Sequence, residues 1–140
     1  LIKEFEGLRL KSYLCPANVW TIGYGTTILP NGAKVPIDST CTKEEAEMFL
    51  KHDLIAFEKQ VENLLKVEVN QNQFDALVSF VYNLGAGTLA KSQLLKNINA
   101  KLPINQGMFT AYSKAKVNGL LQSLPGLVKR RNAEYELFIK

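Results

Sequence analysis

Apolar residues recur along most of this chain at the three- and four-residue spacing of amphipathic helices, but residues 9–37 follow a different pattern. There, glycine and proline punctuate β-branched and aromatic residues, which predicts a small antiparallel sheet with a turn at Pro30-Asn31-Gly32. Thr42-Lys43-Glu44-Glu45 has the form of a capping box and begins a helix expected to run to about Lys66. Further helices are expected over residues 72–84, 89–99, 104–114 and 127–139.

The first residues place a carboxylic acid at a predicted helix end, where Glu6 precedes Gly7. Eight residues separate Glu6 from Cys15, and five separate Cys15 from Thr21. A helix end and the hairpin after it would bring this acid, thiol and hydroxyl near one another, which is a plausible hydrolytic arrangement. Each residue also has a structural interpretation: a surface carboxylate, a small buried thiol and a common strand residue.

The spacing within EGLRLKSYLCPANVWTIGYG (residues 6–25) resembles the catalytic signature of the phage-type lysozymes, glycoside hydrolase family 24. That signature reads Glu, eight residues, Asp or Cys, five residues, Thr. Two later segments, QNQFDALVSFVYNLGAGTL (71–89) and GLVKRRNAEYELF (126–138), are similar to this family's later helices. The resemblance implies an α+β, lysozyme-like fold in one catalytic domain over residues 1–140. A small N-terminal antiparallel sheet lobe and a larger helical lobe would enclose a cleft.

The same resemblance implies an endolysin that hydrolyses the β-1,4 bond between N-acetylmuramic acid and N-acetylglucosamine in bacterial peptidoglycan. Glu6 would be the general acid, with its pKa raised by burial or local hydrogen bonding. Cys15 stands where most members have Asp, and would act as base, nucleophile or water site. A free thiol has a pKa of about 8.5, so its ionisation needs nearby positive charge or hydrogen-bond donors. Thr21 would position the hydrolytic water, which favours inversion of configuration.

Weaker candidates lie in the helical part. Tyr82 and Asn83 fall where the family's cleft-lining helix turns back, so they are candidate substrate-binding residues, with a core aromatic as the alternative for Tyr82. Arg130 and Arg131 match a basic pair in the family's last helix. One of them could pair with Glu6, but we favour a solvated basic face.

Two rival functions stay open. A thiol hydrolase would need Cys15 within hydrogen-bond reach of His52, the only histidine, which lies off its helix's apolar stripe and is expected to be solvated. A non-catalytic cell-wall-binding module would result if losing the usual Asp has abolished activity. Thr26 stands where many relatives have His, so any charge pair made by that His is absent.

A second thiol, Cys41, raises the question of redox control. A Cys15–Cys41 disulfide would close a loop of about 26 residues and stabilise the fold by roughly 3 kcal/mol on a chain-entropy model. By resemblance, some secreted relatives with Cys at this position are held inactive by such a bond. Two reduced thiols in a cytoplasmic protein are the expectation we adopt.

Composition adds mainly exclusions. Of 17 Lys/Arg residues, 9 fall in residues 91–140 against only 2 Asp/Glu, a basic half that could attract an anionic polymer such as bacterial wall. Nucleic-acid binding is not favoured, since zinc-finger spacing, RNA-binding aromatic motifs and basic-region heptads are all missing. No apolar run approaches the roughly 20 residues of a membrane span, and no cluster has metal-ligand spacing, so we expect no metal or other cofactor. We expect a monomer in the host cytoplasm before release to the cell wall or periplasm. Because the chain opens at Leu1 without Met, an upstream targeting segment is not excluded.

Overall fold

A short helix and a two-stranded antiparallel sheet open the chain in this computed structural model, which describes residues 1–15, 18–117 and 120–140. The helices and strands, in chain order, are α1 (Ile2–Glu6), β1 (Arg9–Leu14), β2 (Trp20–Gly23), α2 (Lys43–Leu64), α3 (Gln71–Leu84), α4 (Ala86–Ala90), α5 (Gln93–Asn99), α6 (Gln106–Thr110), β3 (Lys114–Val117), β4 (Leu120–Ser123) and α7 (Pro125–Phe138). Two compact units divide these elements, Leu1–Ala56 and Phe57–Lys140. The organisation of residues 1–140 as one catalytic domain stays a prediction.

In the first unit, β1 and β2 pair with an irregular register. Arg9 lies opposite Gly23, but Tyr13 lies opposite Thr21, so β1 carries a bulge between these two pairs. The bulged part of β1 bonds to the segment at residues 39–41 instead. The backbone N–H of Ser12 donates to the Ser39 carbonyl oxygen at 2.8 Å, and the two strands are thereby joined to the segment before α2.

The predicted turn and capping box are both confirmed. The N–H of Gly32, whose φ is 85°, donates to the carbonyl oxygen of Leu29 at 2.8 Å, closing the turn at Pro30-Asn31-Gly32. At the start of α2, the N–H of Glu45 donates to Thr42 Oγ1 at 3.1 Å, and the N–H of Thr42 donates to Glu45 Oε1 at 3.0 Å.

Strand β2 packs directly on α2 within the first unit. Gly23 has a φ of +68°, and a Cβ built there would lie 3.2 Å from the Cβ of Ala46. This glycine therefore serves close backbone packing at a left-handed conformation. The buried apolar side chains of the unit include Ile22, Tyr24, Val35, Ala46 and Leu50.

In the second unit, α3 and α7 pack around an aromatic cluster. The rings of Phe80 and Phe109 meet edge to face with centroids 6.2 Å apart, and Phe138 packs on Phe109 at 5.7 Å. Fully buried aliphatic side chains also contribute to the core of this unit: Val61, Ala76, Leu77, Val81, Leu89 and Leu94. Helices predicted over 72–84 and 127–139 are confirmed, with boundaries shifted by one or two residues.

Two predicted helices are wrong in extent. The helix expected over 89–99 is broken in two, because the hydroxyl of Ser92 caps α5 by accepting from the Leu95 N–H at 3.0 Å. The helix expected over 104–114 ends at Thr110, where the Ser113 hydroxyl bonds the Thr110 carbonyl at 2.6 Å. Strands β3 and β4 follow as an antiparallel pair that was not predicted. Among the described residues, no helix is both long and apolar enough to span a membrane.

Candidate active site

The β1–β2 hairpin arranges the candidate residues by strand alternation. Tyr13 lies directly opposite Thr21, and Leu14 directly opposite Trp20. Residues opposite each other in an antiparallel pair share a face, and neighbours along a strand alternate. Tyr13 and Thr21 therefore lie on one face of the hairpin, and Leu14 and Trp20 on the other.

Cys15 follows Tyr13 by two residues and so lies on the same face of the hairpin as Tyr13 and Thr21. Its backbone N–H donates to the carbonyl oxygen of Val19 at 3.0 Å, and its carbonyl accepts from the Asn18 N–H at 2.8 Å. A diagonal pair such as Cys15 and Thr21 has Cα atoms about 7–8 Å apart. The Cys15 side chain is half-buried. We predicted a turn from Pro16, Ala17 and Asn18; the first two lie outside the described residues.

Thr21 is buried, with 3% of its surface exposed, and its hydroxyl donates to the Val19 carbonyl oxygen at 3.0 Å. Since the single hydroxyl proton is used in that bond, the oxygen faces other partners as an acceptor. A water molecule meeting this hydroxyl would donate to it. The geometry suits a residue that orients water, although that role stays a prediction.

Glu6 is the last residue of α1 and is half-buried. Gly7 follows with φ 70° and ψ 160°, and its N–H donates to the Lys3 carbonyl at 3.1 Å. This confirms the expectation that the helix ends against Gly7. The positive φ of Gly7 turns the chain toward β1, so that only Gly7 and Leu8 separate Glu6 from the first residue of that strand, Arg9.

Tyr13 lies near Glu6, Cys15 and Thr21, and the sequence analysis did not identify it as a candidate. Burial raises the pKa of its phenol; negative charge on Glu6 and on Cys15 raises that pKa further, while Arg9 lowers it. The guanidinium carbon of Arg9 lies 4.9 Å from the centroid of the Tyr13 ring. Glu6 and Cys15 thus lie within electrostatic range of one phenol. The sequence signal was its position two residues before Cys15 in a predicted strand.

Thr26 makes a hydrogen bond to helix α2. It is buried, and its hydroxyl donates to Asp53 Oδ2 at 2.8 Å. Burial raises the pKa of the Asp53 carboxyl, against the lowering effects of Thr26 and His52. His52 is exposed on α2, as predicted. The hydrogen bond therefore joins the end of β2 to α2.

The basic pair in α7 is buried, so the prediction of a solvated face is wrong. Arg130 and Arg131 are 3% and 0% exposed. Arg131 Nε lies 2.7 Å from Glu134 Oε1, and Arg130 Nη2 donates to the Ser79 carbonyl oxygen at 3.1 Å. Ser79 also donates its hydroxyl to Glu134 Oε2 at 2.6 Å. A carboxylate one turn along α7 and a serine on α3 allow both guanidinium groups to be buried.

Tyr82 and Asn83 lie near the end of α3, in the second unit, and both are half-buried. The Tyr82 ring packs against Phe57 with centroids 5.0 Å apart. Asn83 Oδ1 is buried and accepts no hydrogen bond from the part of the chain that the structure describes. Their role in substrate binding stays a prediction.

Cys41 and Cys15 are both thiols. The N–H of Cys41 donates to the Leu10 carbonyl at 2.8 Å, which places it near the start of β1, whereas Cys15 follows the end of that strand. Within residues 1–15, 18–117 and 120–140, no group of three or more His, Cys, Asp or Glu side chains is placed to hold a metal ion.

The comparisons with known proteins agree with this architecture. The family model described as phage lysozyme matches residues 3–134. An endolysin of Acyrthosiphon pisum secondary endosymbiont phage 1 is 45% identical over 139 residues, which is 99% of this chain and 92% of that protein. Other endolysins that it matches are longer, and the chain spans about half of their length.

Solved structures show the same fold. The endolysin from Escherichia coli O157:H7 phage FAHEc1 superposes with a TM-score of 0.91 at 36% identity, covering 99% of this chain and 88% of that one. The muramidase domain of SpmX from Asticaccaulis excentricus has a TM-score of 0.88 at 34% identity, covering 99% and 92%.

A small antiparallel hairpin and a larger helical part, with an acid, a thiol and a hydroxyl on the hairpin side, define a lysozyme-like α+β glycoside hydrolase. The predicted fold class is therefore confirmed. Within that class, the chain belongs to the phage lysozyme family. It is an endolysin-type enzyme that hydrolyses peptidoglycan.

Proposed function

We propose that this enzyme is a muramidase, which cleaves the β-1,4 bond between N-acetylmuramic acid and N-acetylglucosamine. Glu6 acts as general acid, Cys15 takes the role of the family's Asp, and Thr21 positions the water. The observation that carries the proposal is the environment of Tyr13, which faces Thr21 across the hairpin and has both Glu6 and Cys15 within electrostatic range. The muramidase domain that superposes at 0.88 supports the choice of bond.

Cleavage of the glycosidic bond needs two proton transfers, one to the leaving oxygen and one from the attacking water. Glu6 gives its proton to the glycosidic oxygen, so that the sugar leaves as an alcohol rather than an alkoxide. Water attacks the anomeric carbon as the carbon–oxygen bond breaks. The Cys15 thiolate accepts the proton that this water loses. Glu6 ends as a carboxylate and Cys15 as a thiol, and bulk solvent restores both.

Thr21 supplies the geometry of attack. Its hydroxyl donates to Val19 and so accepts a hydrogen from water, leaving a water lone pair for the anomeric carbon. A separation of about 7–8 Å between the diagonal Cα atoms of Cys15 and Thr21 leaves room for one water. Attack by a free water on the face opposite the leaving group inverts the anomeric configuration. The β-linked substrate would therefore give an α product.

Two residues of the second unit extend the proposal to substrate binding. Tyr82 presents a half-buried ring that stacks on a sugar, and the neighbouring half-buried Asn83 bonds the same sugar through its side-chain amide. The enzyme works as a monomer on the cell wall, after synthesis in the host cytoplasm. We assign it no nucleic-acid partner, and in the part of the chain that the structure describes no helix is long and apolar enough to cross a membrane.

The test is release of reducing ends from purified peptidoglycan. Wild type should release them, Glu6→Gln and Cys15→Ala should lose about 10²–10⁴-fold in rate, and Cys15→Asp should recover most of it. Cys41→Ala is the matched control, since it removes a thiol elsewhere in the same unit, and it should behave as wild type. Proton NMR of the first product should show the α anomer.

Three results would overturn the proposal in different ways. No release by wild type, with binding to the wall retained, would leave a wall-binding module. Full activity in Cys15→Ala would limit Cys15 to packing. Loss of activity in His52→Ala would indicate a thiol hydrolase, because a glycosidase has no use for this exposed imidazole.

A further inference from the structure

The first unit contains a cavity lined by Trp20, whose side chain lies on the hairpin face opposite to that of Thr21. Val19 lies beside Trp20 in the same wall, and the segment 27–35 supplies the other wall. The cavity has a volume of about 320 Å³. This is at the lower end of the range for ligand pockets, about 300–1,000 Å³, so it suits a ligand the size of a dipeptide or of one sugar.

The second wall is a short backbone ribbon. Ile28 and Lys34 lie opposite each other in an antiparallel bridge, and the Leu29 N–H donates to the Ala33 carbonyl oxygen at 2.8 Å. Residues opposite each other in such a pair share a face, so the side chains of Ile28 and Lys34 stand side by side. Both line the cavity, and Val35, 4% exposed, is its most buried lining residue.

The cavity wall combines apolar surface with one charge. Val19 and Ile28 are branched aliphatic residues that remain 42% and 46% exposed. Lys34 is exposed, and it is the only charged residue that lines the cavity within the described part of the chain. A cation beside exposed aliphatic side chains suits an anion whose charged group is attached to small apolar groups.

Peptidoglycan presents two kinds of chemistry to such a cavity. Its glycan strands consist of hydroxyl-rich N-acetylated sugars, and the lactyl carboxyl of each substituted muramic acid is consumed in the amide bond to the peptide. The peptide carries free carboxylates next to alanine methyl groups. Because the cavity offers one cation and aliphatic surface, with only Asn18 and Thr27 as neutral polar side chains, its chemistry matches the peptide better than the sugar.

We propose that this cavity binds the peptide of peptidoglycan, with a peptide carboxylate on Lys34 Nζ and alanine methyl groups against Val19 and Ile28. The site lies on the hairpin face that Thr21 does not occupy, so it binds the wall without taking part in the cleavage. It gives the enzyme a preference for glycan that carries peptides over bare glycan. The inference rests on peptidoglycan as the substrate and not on which bond is cleaved.

The first experiment uses the fluorescence of Trp20, the only tryptophan of the chain. N-acetyl-D-alanyl-D-alanine is titrated into the wild-type enzyme, and saturation-transfer NMR of the peptide methyl groups follows the same titration. The C-terminal amide of this peptide is the uncharged control ligand. Lys34→Gln is the test variant, and Lys51→Gln, which removes an exposed charge on α2 in the same unit, is the matched control.

Wild type should bind the peptide with a Kd in about the millimolar range, as expected for so small a ligand. The amide should bind about tenfold more weakly, and Lys34→Gln should weaken the acid by about the same factor, because each loses one charge-assisted hydrogen bond. Lys51→Gln should match wild type.

The second experiment measures reducing-end release from intact peptidoglycan and from glycan strands stripped of peptide by an amidase. On intact peptidoglycan, Lys34→Gln should raise KM about tenfold with kcat unchanged, because the lost contact is made equally in the ground state and the transition state. On stripped glycan, Lys34→Gln and wild type should have the same KM and kcat. A merely structural role for Lys34 would affect both substrates alike.

Three results would overturn the inference. The first is no change in fluorescence and no saturation transfer with the peptide. The second is equal binding of the acid and the amide. The third is displacement of the peptide by tri-N-acetylchitotriose or by inorganic phosphate at similar concentration, which would indicate a sugar subsite or a general anion site. The peptide titration needs no turnover, so absence of reducing ends with wild type would reject the muramidase proposal and leave the titration result standing.

Discussion

A disulfide-forming oxidant should leave this enzyme active, because its two cysteines lie too far apart to form a disulfide with each other. Cys41 pairs with Leu10, the second residue of β1, through a backbone hydrogen bond of 2.8 Å. Cys15 lies five residues further along the chain, which at about 3.3 Å per residue is roughly 16 Å. The bulge in β1 shortens this, but not to the about 4.4–6.8 Å that a disulfide requires between Cα atoms.

The energies give a disulfide no advantage either. Bringing Cys41 to Cys15 would break three hydrogen bonds between residues 39–41 and β1: the Cys41 N–H to Leu10, the Ser12 N–H to Ser39, and the Ser39 N–H to Ser12 Oγ. At about 1 kcal/mol net for each, this costs roughly 3 kcal/mol. Closing the loop contributes roughly the same amount, so the disulfide has no net advantage. Burial, followed by the charge of Glu45, also raises the pKa of the Cys41 thiol, which makes its reactive thiolate scarce.

The assay treats dilute enzyme with diamide and maps the peptides without reduction. We expect no Cys15–Cys41 peptide, and activity within about twofold of that measured in dithiothreitol, since neither state breaks the β1 pairing. The Cys41→Ser variant, which cannot form the bond, should respond to diamide and dithiothreitol as wild type does. A crosslinked peptide that appears together with lost activity, both reversed by dithiothreitol, would refute the distance derived from the register.

Three further substitutions test the fold around the site. Glu134→Ala should destabilise by about 3–5 kcal/mol, or roughly 10 °C or more in Tm, because it removes a buried carboxylate that pairs with two buried guanidinium groups. Glu136→Ala, an exposed position on the same helix, is its control, and equal melting of the two variants would contradict the ion cluster. Gly23→Ala should cost about 1–3 kcal/mol in urea unfolding, since the new methyl meets Ala46 at 3.2 Å and φ is +68°; an unchanged midpoint would exclude that contact. Burial raises the pKa of the Asp53 carboxyl above its usual 3.8, so its contribution to stability is greatest below that pH and is lost as the pH rises through the folded pKa. Asp53→Asn should therefore unfold at higher urea than wild type at pH 7, with the difference shrinking toward pH 3, and a difference that grows in acid would reverse the sign we assign.

Local signals allowed the helices and turns to be predicted. The capping box at Thr42 and Glu45 is a bond between neighbours in sequence, so its residue types suffice to locate a helix start. The break before α5 was missed because apolar spacing continues across it, although Ser92 is a good cap. The β3–β4 pair was missed, although Asn-Gly at 118–119 is a sequence common in hairpins.

Burial of charge could not be predicted from α7 alone. Arg130 and Arg131 look like a solvated pair until Glu134, one turn further on, is counted as their partner. Even then, the bond from Arg130 to the carbonyl of Ser79 depends on how α7 packs on α3, which no local pattern specifies. The sequence identified the charged residues, and tertiary packing determined their exposure.

The candidate site was easier to predict than the buried charges of α7, because its residues lie within one short stretch of chain. Glu6, Cys15 and Thr21 lie on a helix end and the single hairpin that follows it, so their spacing in sequence is itself a geometric constraint. The register was needed to find Tyr13, since only pairing with Thr21 shows which face of β1 it occupies. Replacing an Asp by Cys exchanges a group that is ionised at neutral pH for one that is mostly not. Such an exchange preserves activity only if the surroundings of Cys15 favour the thiolate.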